Sequence, residues 1–272
     1  RNINTTGWKK VLAYAQEQVP PMSDGTSLGN SPPRTMAPYY DEQNEISSRL
    51  NSMDTRKFRL TYEKAKRIVS IISSKVEADA KPPTGNQNCQ LCTWCAEAQC
   101  RDINVLPRPV YSPRDPSLEI PGEMIVMNPT RQKISSQRDV VNAVRSNLDS
   151  RWYVHVNWKD STGGHEFLVV NVNNYAYIMD AQAGELIEID EMDTNSTYFN
   201  DINYENSYMS RLDNRPFNNQ LLTTMNDMRT MVPWDESKDI PYMKEHGMLS
   251  EEDLAAAKLR SEERFSRNAE TD

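Results

Sequence analysis

The sequence predicts an α+β protein, because helical periodicity dominates its first half and strand alternation its second half. Apolar residues recur at helical spacing over residues 41–76 and again from Asn88 to about Asp102. From Trp152 onward they alternate with polar residues, as in strands buried on one face. Between the two halves, six prolines fall between Pro107 and Pro129, a density that excludes long regular elements there.

The composition limits the partners that this chain is expected to have. The 272 residues are 37% hydrophobic and carry a net charge of −8, so specific nucleic-acid binding is disfavoured. No apolar run approaches the ~20 residues that cross a bilayer, and we expect no membrane association. Residues 1–18 carry no visible signal peptide. Because the chain starts with Arg1, we expect it to be a processed product or a fragment of a longer polypeptide.

The N-terminal third is predicted to be an arm followed by a helical segment. Residues 1–40 combine a short amphipathic helix, Thr6–Val19, with a stretch rich in Pro, Ser, Gly and Asn. Residues 41–83 are predicted to be mainly helical, with the basic charges of Arg56–Lys75 on the solvated face. At the other end, residues 218–272 are acidic and poor in large aliphatic side chains, which predicts a partly helical or disordered tail.

The second half is predicted to hold one helix and a hairpin. Gln137–Leu148 has helical periodicity, and Trp152–Trp158 alternates as a half-buried strand. Two further strands, His165–Val172 and Tyr175–Asp180, are separated by Asn173-Asn174, a two-residue turn signal. This turn predicts that Val172 pairs with Tyr175, which brings His165 and Asp180 to the same side of the sheet.

All four cysteines lie within twelve residues, as Cys89, Cys92, Cys95 and Cys100. A secreted disulfide scaffold is therefore unexpected. The two C-x-x-C steps are compatible with zinc or an iron–sulfur cluster. In a helix, however, the first and last sulfurs are separated by roughly 16 Å of rise at ~1.5 Å per residue, too far for one ion. We expect the last three cysteines to be small buried residues and the protein to need no metal or cofactor.

Cys89 differs from the other cysteines in its position at a helix start. It follows Asn88, a good N-cap residue, and the positive end of a helix dipole lowers the pKa of a thiol. The sequence therefore allows both a reactive and a structural cysteine at this position, and the pattern favours the reactive one. As donors to an oxyanion we expect the Cys89 N–H and a side-chain amide, Gln87 or Asn88.

A nucleophilic cysteine needs a base, and the chain has three histidines. His155 lies within a strand and is most simply a surface or interface residue, and His246 lies in the polar C-terminal segment. His165 follows two glycines and opens an apolar strand, where a ring can emerge beside an active site. The predicted register allows Asp180 to orient His165, which completes a Cys-His-Asp arrangement. The alternative for Asp180 is a turn-capping residue.

Three motifs together resemble the papain-fold toxin family, whose members are predicted cysteine proteases or glutamine deamidases of polymorphic toxin systems. The motifs are Asn88-Cys89-Gln-Leu-Cys92, Trp158-Lys159 with Gly163-Gly164-His165, and Asp180-Ala-Gln182-Ala-Gly184. The resemblance covers about residues 84–217. The chain departs from the family at Ala181, where proline is usual, and at Arg101-Asp102, where the family has Arg-Gly.

The resemblance implies a papain-like fold with N-terminal helices packed on an antiparallel sheet. It implies that Cys89 is the nucleophile, His165 the base, Asp180 the orienting acid, and Gln182 part of the substrate site. Similar domains occur on phage minor head proteins, and residues 208–214 and 234–248 resemble extensions of such capsid proteins. The implied partners are a protein substrate, neighbouring capsid subunits or an immunity protein, in a virion or in the host cytoplasm. A structural virion component without catalysis remains the alternative.

Overall fold

The computed structural model describes residues 59–159, 163–191 and 197–249, together with residues 252, 255 and 259. The predicted arm over residues 1–40 and the first part of the predicted helical segment, residues 41–58, lie outside the described residues. Most of the end of the predicted tail, residues 250–272, also lies outside them.

The described residues combine helices with one β-sheet, and the α+β class that the sequence predicts is confirmed. The helices are α1 (Tyr62–Asp79), α2 (Cys89–Cys100), α3 (Gln137–Arg145), α4 (Thr197–Asn200), α5 (Leu222–Asn226) and α6 (Glu236–Glu245). The strands are β1 (Arg131–Lys133), β2 (Arg151–Asn157), β3 (Gly164–Val172), β4 (Tyr175–Asp180), β5 (Glu185–Ile189) and β6 (Tyr208–Arg211).

The six strands form one open antiparallel sheet in the order β1-β6-β2-β3-β4-β5. Val172 pairs with Tyr175, so the predicted hairpin register is confirmed. Asn173 and Asn174 both have positive φ, the backbone conformation that a tight two-residue hairpin turn requires. Strands β1, β5 and β6 are additions that the sequence pattern does not predict.

Each face of the sheet has its own hydrophobic core. Leu168 and Val170 of β3 pack with the buried residues of α1 and α2 on one face. Phe167 and Val169 of the same strand pack with the buried residues of α3 on the other face. We call these the α2 face and the α3 face. Because successive side chains of a strand point to opposite faces, neighbouring residues of β3 serve different cores.

Helix α1 illustrates how local sequence places an element. It begins after Thr61, whose hydroxyl accepts a hydrogen bond from the Lys64 N–H. Its buried residues recur at helical spacing and are Ala65, Ile68, Val69, Ile72 and Val76. Lys66 and Arg67 are exposed, so these basic charges of the predicted segment lie on the solvated face.

None of the described helices is long and apolar enough to cross a membrane.

The proline-rich segment contains only two short 3-10 helices, Pro116–Glu119 and Gly122–Ile125, as its composition predicts. The segment expected to be a tail differs from that expectation over residues 218–249. Leu222 and Met225 of α5 are buried in the core of the α2 face. Trp234 and Met243 form a third small core with Tyr111. A few large side chains in a polar segment are therefore enough to dock it on the body.

Candidate active site

Cys89 is the first residue of α2, as the sequence predicts, and its side chain is half-buried. Asn88 precedes it but makes no capping hydrogen bond, because its side chain is used elsewhere. The Asn88 amide donates to the carbonyl of Arg108 at 2.9 Å, and its Oδ1 accepts from the Cys92 thiol at 3.3 Å. The first backbone N–H groups of α2 are thus left without a side-chain cap beside the Cys89 sulfur.

The Cys89 thiol donates a hydrogen bond to Glu166 of β3. Its Sγ lies 2.7 Å from Glu166 Oε2, while His155 Nδ1 of β2 lies 3.0 Å from Glu166 Oε1. His155 and Glu166 are directly paired across β2 and β3 on the α2 face. Their side chains are 21% and 13% exposed, so this thiol–carboxylate–imidazole chain is largely shielded from water. The His155 ring also stacks on Tyr208, with ring centroids 5.0 Å apart.

The electrostatics of the Cys89–Glu166–His155 contacts keep the Cys89 thiol protonated. Burial and the Glu166 charge raise the pKa of the Cys89 thiol well above its usual range. Burial raises the pKa of the Glu166 carboxyl, but the hydrogen bond and charge of His155 outweigh it, and the net shift is downward. In this resting state Glu166 is therefore a carboxylate acceptor and Cys89 a protonated donor.

A second imidazole–carboxylate pair begins at the preceding residue of β3. His165 Nε2 lies 2.7 Å from Asp180 Oδ2, so the predicted contact between these residues is present. Asp180 also lies 2.8 Å from the Tyr198 hydroxyl and accepts from the Ala183 N–H at 3.1 Å. His165 and Asp180 are both buried, and the His165 ring lies against Phe167.

The charge of Asp180 sets the protonation of His165. Burial alone lowers the pKa of the imidazole, but the charge and hydrogen bond of Asp180 outweigh it, so the pKa of His165 is raised. The reciprocal effect lowers the pKa of Asp180, although burial raises it. The two groups thus form a buried pair that favours imidazolium and carboxylate.

The structure brings His165 and Asp180 together but does not join either of them to the Cys89 thiol. Glu166 points to the α2 face, where α2 and Cys89 lie, and His165 points to the α3 face with Phe167 and Tyr198. Within the described residues, the hydrogen-bond partner of the Cys89 sulfur is Glu166 and not His165. The one-residue offset between Glu166 and His165 accounts for this separation.

Gln182 connects the two regions. Its amide donates to the Asn86 carbonyl at 3.1 Å and lies 3.4 Å from Asn88 Oδ1. The turn that follows Asp180 is therefore attached to the residue before the thiol. The Gln87 amide donates to the Thr84 carbonyl at 2.9 Å. The two amides expected to stabilise an oxyanion, those of Gln87 and Asn88, are thus engaged in holding the loop before α2.

Cys92, Cys95 and Cys100 are buried and free, as the sequence predicts. Among residues 59–159, 163–191 and 197–249, no group of three or more His, Cys, Asp or Glu side chains is placed to hold one metal ion. Comparison with family models, with curated proteins and with solved structures finds no match to this chain.

Sequence reasoning missed three residues of this region: Glu166, His155 and Tyr198. Glu166 was hidden because a strand pattern does not say which face meets the helix that carries the cysteine. The cross-strand pair His155–Glu166 depends on the register between β2 and β3, whose connection is too long for a two-residue turn to fix that register. Tyr198 lies in α4, far along the chain from its partner Asp180, and had no local signal.

Proposed function

We propose that this protein is a papain-like, cysteine-dependent amide hydrolase, with Cys89 as the nucleophile and a glutamine side chain or a peptide bond as the substrate. One observation carries the proposal: the half-buried thiol at the start of α2 contacts Glu166, near the beginning of β3. At this point two adjacent residues of β3, His165 and Glu166, each belong to a histidine–carboxylate pair. The nucleophile, the candidate bases and the carboxylates therefore lie near the edge of the sheet where β3 begins. Covalent amide hydrolysis requires a nucleophile with a base close to it.

His165 and Asp180 are the proposed base and orienting acid. Because Asp180 holds Nε2, the Nδ1 nitrogen is the one assigned to proton transfer. Because Asp180 favours the imidazolium form at rest, His165 first gives up that proton to water. The neutral imidazole then accepts the thiol proton as Cys89 attacks the amide carbonyl and the S–C bond forms, and it passes this proton to the amine as the C–N bond breaks. Water, deprotonated by the same imidazole, then cleaves the thioester. At rest the thiol lies with Glu166 on the α2 face and the His165 ring lies on the α3 face. This sequence therefore requires the thiol to leave Glu166 and the two groups to meet at the edge of the sheet where β3 begins, a rearrangement that substrate binding would have to produce.

His155 is the competing base, because it already reaches the thiol through Glu166. In that assignment the imidazole takes the thiol proton by way of the carboxylate and Asn157 orients the ring, since His155 Nε2 lies 3.2 Å from Asn157 Oδ1. In this arrangement the carboxylate lies between the thiol and the imidazole, whereas in a Cys-His-Asp triad the imidazole lies between the thiol and the carboxylate. The resemblance to papain-fold toxins favours His165, and the present hydrogen bonds favour His155.

The three histidines provide a matched test. The purified chain is incubated with glutamine-containing peptides, and ammonia release and new amino termini are measured, which separates deamidation from proteolysis. We expect Cys89→Ala and His165→Ala to abolish turnover and His246→Ala, at an exposed ring, to leave it unchanged. Loss of turnover in His155→Ala alone would reassign the base. Turnover that survives in Cys89→Ala would overturn the proposal.

A second candidate is a structural component of a phage head that keeps the fold as a packing module and needs no catalysis. The raised pKa of Cys89, which makes a thiol unreactive at rest, supports the absence of catalysis. The resemblance of residues 208–214 and 234–248 to extensions of capsid proteins supports the phage-head context. The partners of such a component would be neighbouring capsid subunits, and its location the virion. A phage that carries Cys89→Ala then assembles, infects and processes its proteins normally. A defect in protein processing would instead support the hydrolase.

A further inference from the structure

Tyr153 presents a buried hydroxyl that has no hydrogen-bond partner on the α2 face. The residue is 0% exposed, and its OH is one of the few buried side-chain polar atoms in the described part of the chain that are left unpaired. Leaving a hydroxyl unpaired in a protein interior is costly, so it calls for an explanation such as a role in binding or catalysis. This hydroxyl lies on the α2 face, the face of the sheet against which the helix that carries Cys89 packs.

The sheet register places Tyr153 on the same face as the two residues that hold the thiol, Glu166 and His155. Tyr153 lies two residues before His155 on β2, on the same face, and pairs with Leu168 of β3, two residues after Glu166. Its ring lies 6.3 Å from that of Tyr208, which itself stacks on His155. The ionisable groups near enough to act electrostatically on the hydroxyl are Glu166, Tyr208, Cys89 and Glu123.

A glycine keeps room for the Tyr153 hydroxyl. A Cβ at residue 122 would lie 1.8 Å from the Tyr153 OH, so any residue larger than Gly122 would displace the tyrosine ring. The Gly122 carbonyl is fixed by the Trp94 indole of α2, which donates to it at 2.8 Å. The hydroxyl is thus held rigidly between β2, the start of a 3-10 helix and α2, in the manner of a preorganised donor.

Burial keeps this hydroxyl protonated. Burial and the surrounding acidic groups raise the pKa of Tyr153 well above its usual range. A phenol that does not ionise remains a hydrogen-bond donor throughout the pH range in which a cysteine hydrolase works. The side-chain amides of Gln87 and Asn88, the donors expected from the sequence, already donate to the carbonyls of Thr84 and Arg108.

We propose that the Tyr153 hydroxyl binds the carbonyl oxygen of the substrate and stabilises the oxyanion formed when Cys89 attacks. This inference rests on the proposed hydrolase function and adds a catalytic residue to it. In the step, the Cys89 S–C bond forms, the π pair of the carbonyl moves onto oxygen, and the thiol proton moves to the base. The Tyr153 O–H and the backbone N–H of Cys89 donate to that oxygen, and the pair returns when the amine leaves.

Two reagents separate oxyanion stabilisation from thiol reactivity. 4-Nitrophenyl acetate acylates a thiol through a tetrahedral oxyanion, whereas iodoacetamide alkylates it by displacement at carbon, without an oxyanion. In Tyr153→Phe we expect the rate of Cys89 acylation to fall by about 10²–10³-fold, the cost of losing one oxyanion donor. The rate of alkylation stays unchanged. Because the hydroxyl makes no hydrogen bond in the fold, its removal does not lower the urea midpoint.

Tyr111→Phe is the matched control, because the Tyr111 hydroxyl donates to the Asp79 carbonyl away from Cys89. Its removal lowers the urea midpoint and leaves acylation unchanged. Equal acylation of wild type and Tyr153→Phe overturns the role of Tyr153 while the hydrolase proposal stands. A wild-type Cys89 that alkylates but does not acylate overturns the hydrolase proposal itself. An equal fall in both rates shows a structural effect on the thiol and also overturns the role of Tyr153.

Discussion

Two consecutive residues at the start of β3, His165 and Glu166, belong to two different acid–base pairs. Strand alternation sends Glu166 to the thiol and to His155, and sends His165 to Asp180 and the aromatic core of the α3 face. The thiol is therefore held by the carboxylate rather than by the imidazole. At the scale of single residues, Glu166 determines how reactive Cys89 is at rest.

Replacing Glu166 by glutamine tests this control. The substitution removes the negative charge but keeps the size, so the pKa of Cys89 falls and more thiolate forms at a given pH. We expect iodoacetamide to react about tenfold faster near neutral pH, because each unit of thiol pKa changes the thiolate fraction tenfold. The pH profile of alkylation, read by mass spectrometry of the Cys89 peptide, measures the shift.

Glu188→Gln is the control for this substitution. Glu188 is exposed on β5, so its charge is screened by water and its removal leaves the alkylation profile unchanged. An unshifted profile in Glu166→Gln would show that the Cys89–Glu166 contact does not set thiol reactivity.

The His165–Asp180 pair makes stability depend on pH. Since the folded pKa of His165 is raised above 6.5, its stabilising contribution is complete below that value and is lost as the pH rises through the folded pKa. We expect the free energy of unfolding to fall over this window. In Asp180→Asn the fall disappears, because burial alone lowers the imidazole pKa. Urea unfolding at a series of pH values above about 6 measures the fall in the free energy of unfolding. An identical dependence on pH in the wild type and in Asp180→Asn would contradict this prediction.

At the scale of elements, a buried ion-pair cluster fixes α2 to the sheet. Glu97 of α2 accepts hydrogen bonds from Arg101 at 2.9 Å and from Arg151 of β2 at 2.8 Å and 2.9 Å. All three side chains are 0–1% exposed. Arg101 also donates to the Leu212 carbonyl at 3.0 Å, which extends the cluster to the segment after β6. The orientation of α2, and with it the position of Cys89, depends on this cluster.

Removing the charge of Glu97 is expected to destabilise the whole fold. Glu97→Gln leaves two buried guanidinium groups without their anion, and breaking such a pair costs about 3–5 kcal/mol of the free energy of unfolding. Burial raises the pKa of Glu97, but the two arginines outweigh it and the net shift is downward. Its contribution is therefore present above pH 4.5 and is lost as the pH falls through the folded pKa.

Urea unfolding at neutral pH compares Glu97→Gln with Glu119→Gln, an exposed glutamate in the proline-rich segment. The control is expected to change stability by less than about 0.5 kcal/mol, as most surface substitutions do. A loss in Glu97→Gln no larger than that in the control would show that the cluster contributes no net stability.

At the scale of the whole molecule, the C-terminal part of the described chain is anchored by one buried carboxylate. Asp239 of α6 is 0% exposed and accepts hydrogen bonds from the Ser112 hydroxyl and the Arg114 guanidinium, each at 2.6 Å. Together with the small core of Trp234 and Met243, this anchor joins α6 to the proline-rich segment. The anchor lies outside the two main cores, so α6 is able to open without the sheet unfolding.

Asp239→Asn tests this independence. Loss of two charge-assisted hydrogen bonds is expected to lower the free energy of local opening of α6 by about 3 kcal/mol. Hydrogen exchange, followed by mass spectrometry, should then accelerate in residues 236–245 and stay unchanged in β2 and β3. Glu245→Gln, at an exposed position of the same helix, serves as the control. Acceleration throughout the sheet would show that α6 belongs to the global folding unit.

The sequence by itself determined those features that depend on short stretches of chain. The Asn173-Asn174 hairpin follows from turn chemistry, and the His165–Asp180 contact follows from the period of two. The helix starts at Cys89 as predicted, although Asn88 makes no capping hydrogen bond. Each involves residues close enough in sequence for local conformation to set their geometry.

Only the tertiary structure decided which side of β3 meets the thiol. Cys89 and Glu166 are 77 residues apart, and their contact depends on how α2 packs on the sheet. The pairing of β6 with β2, the docking of α6 and the position of Tyr153 likewise depend on long-range packing. Side-chain periodicity defines two faces of a strand but does not say which element covers each face, because burial depends on area and not on the identity of the partner.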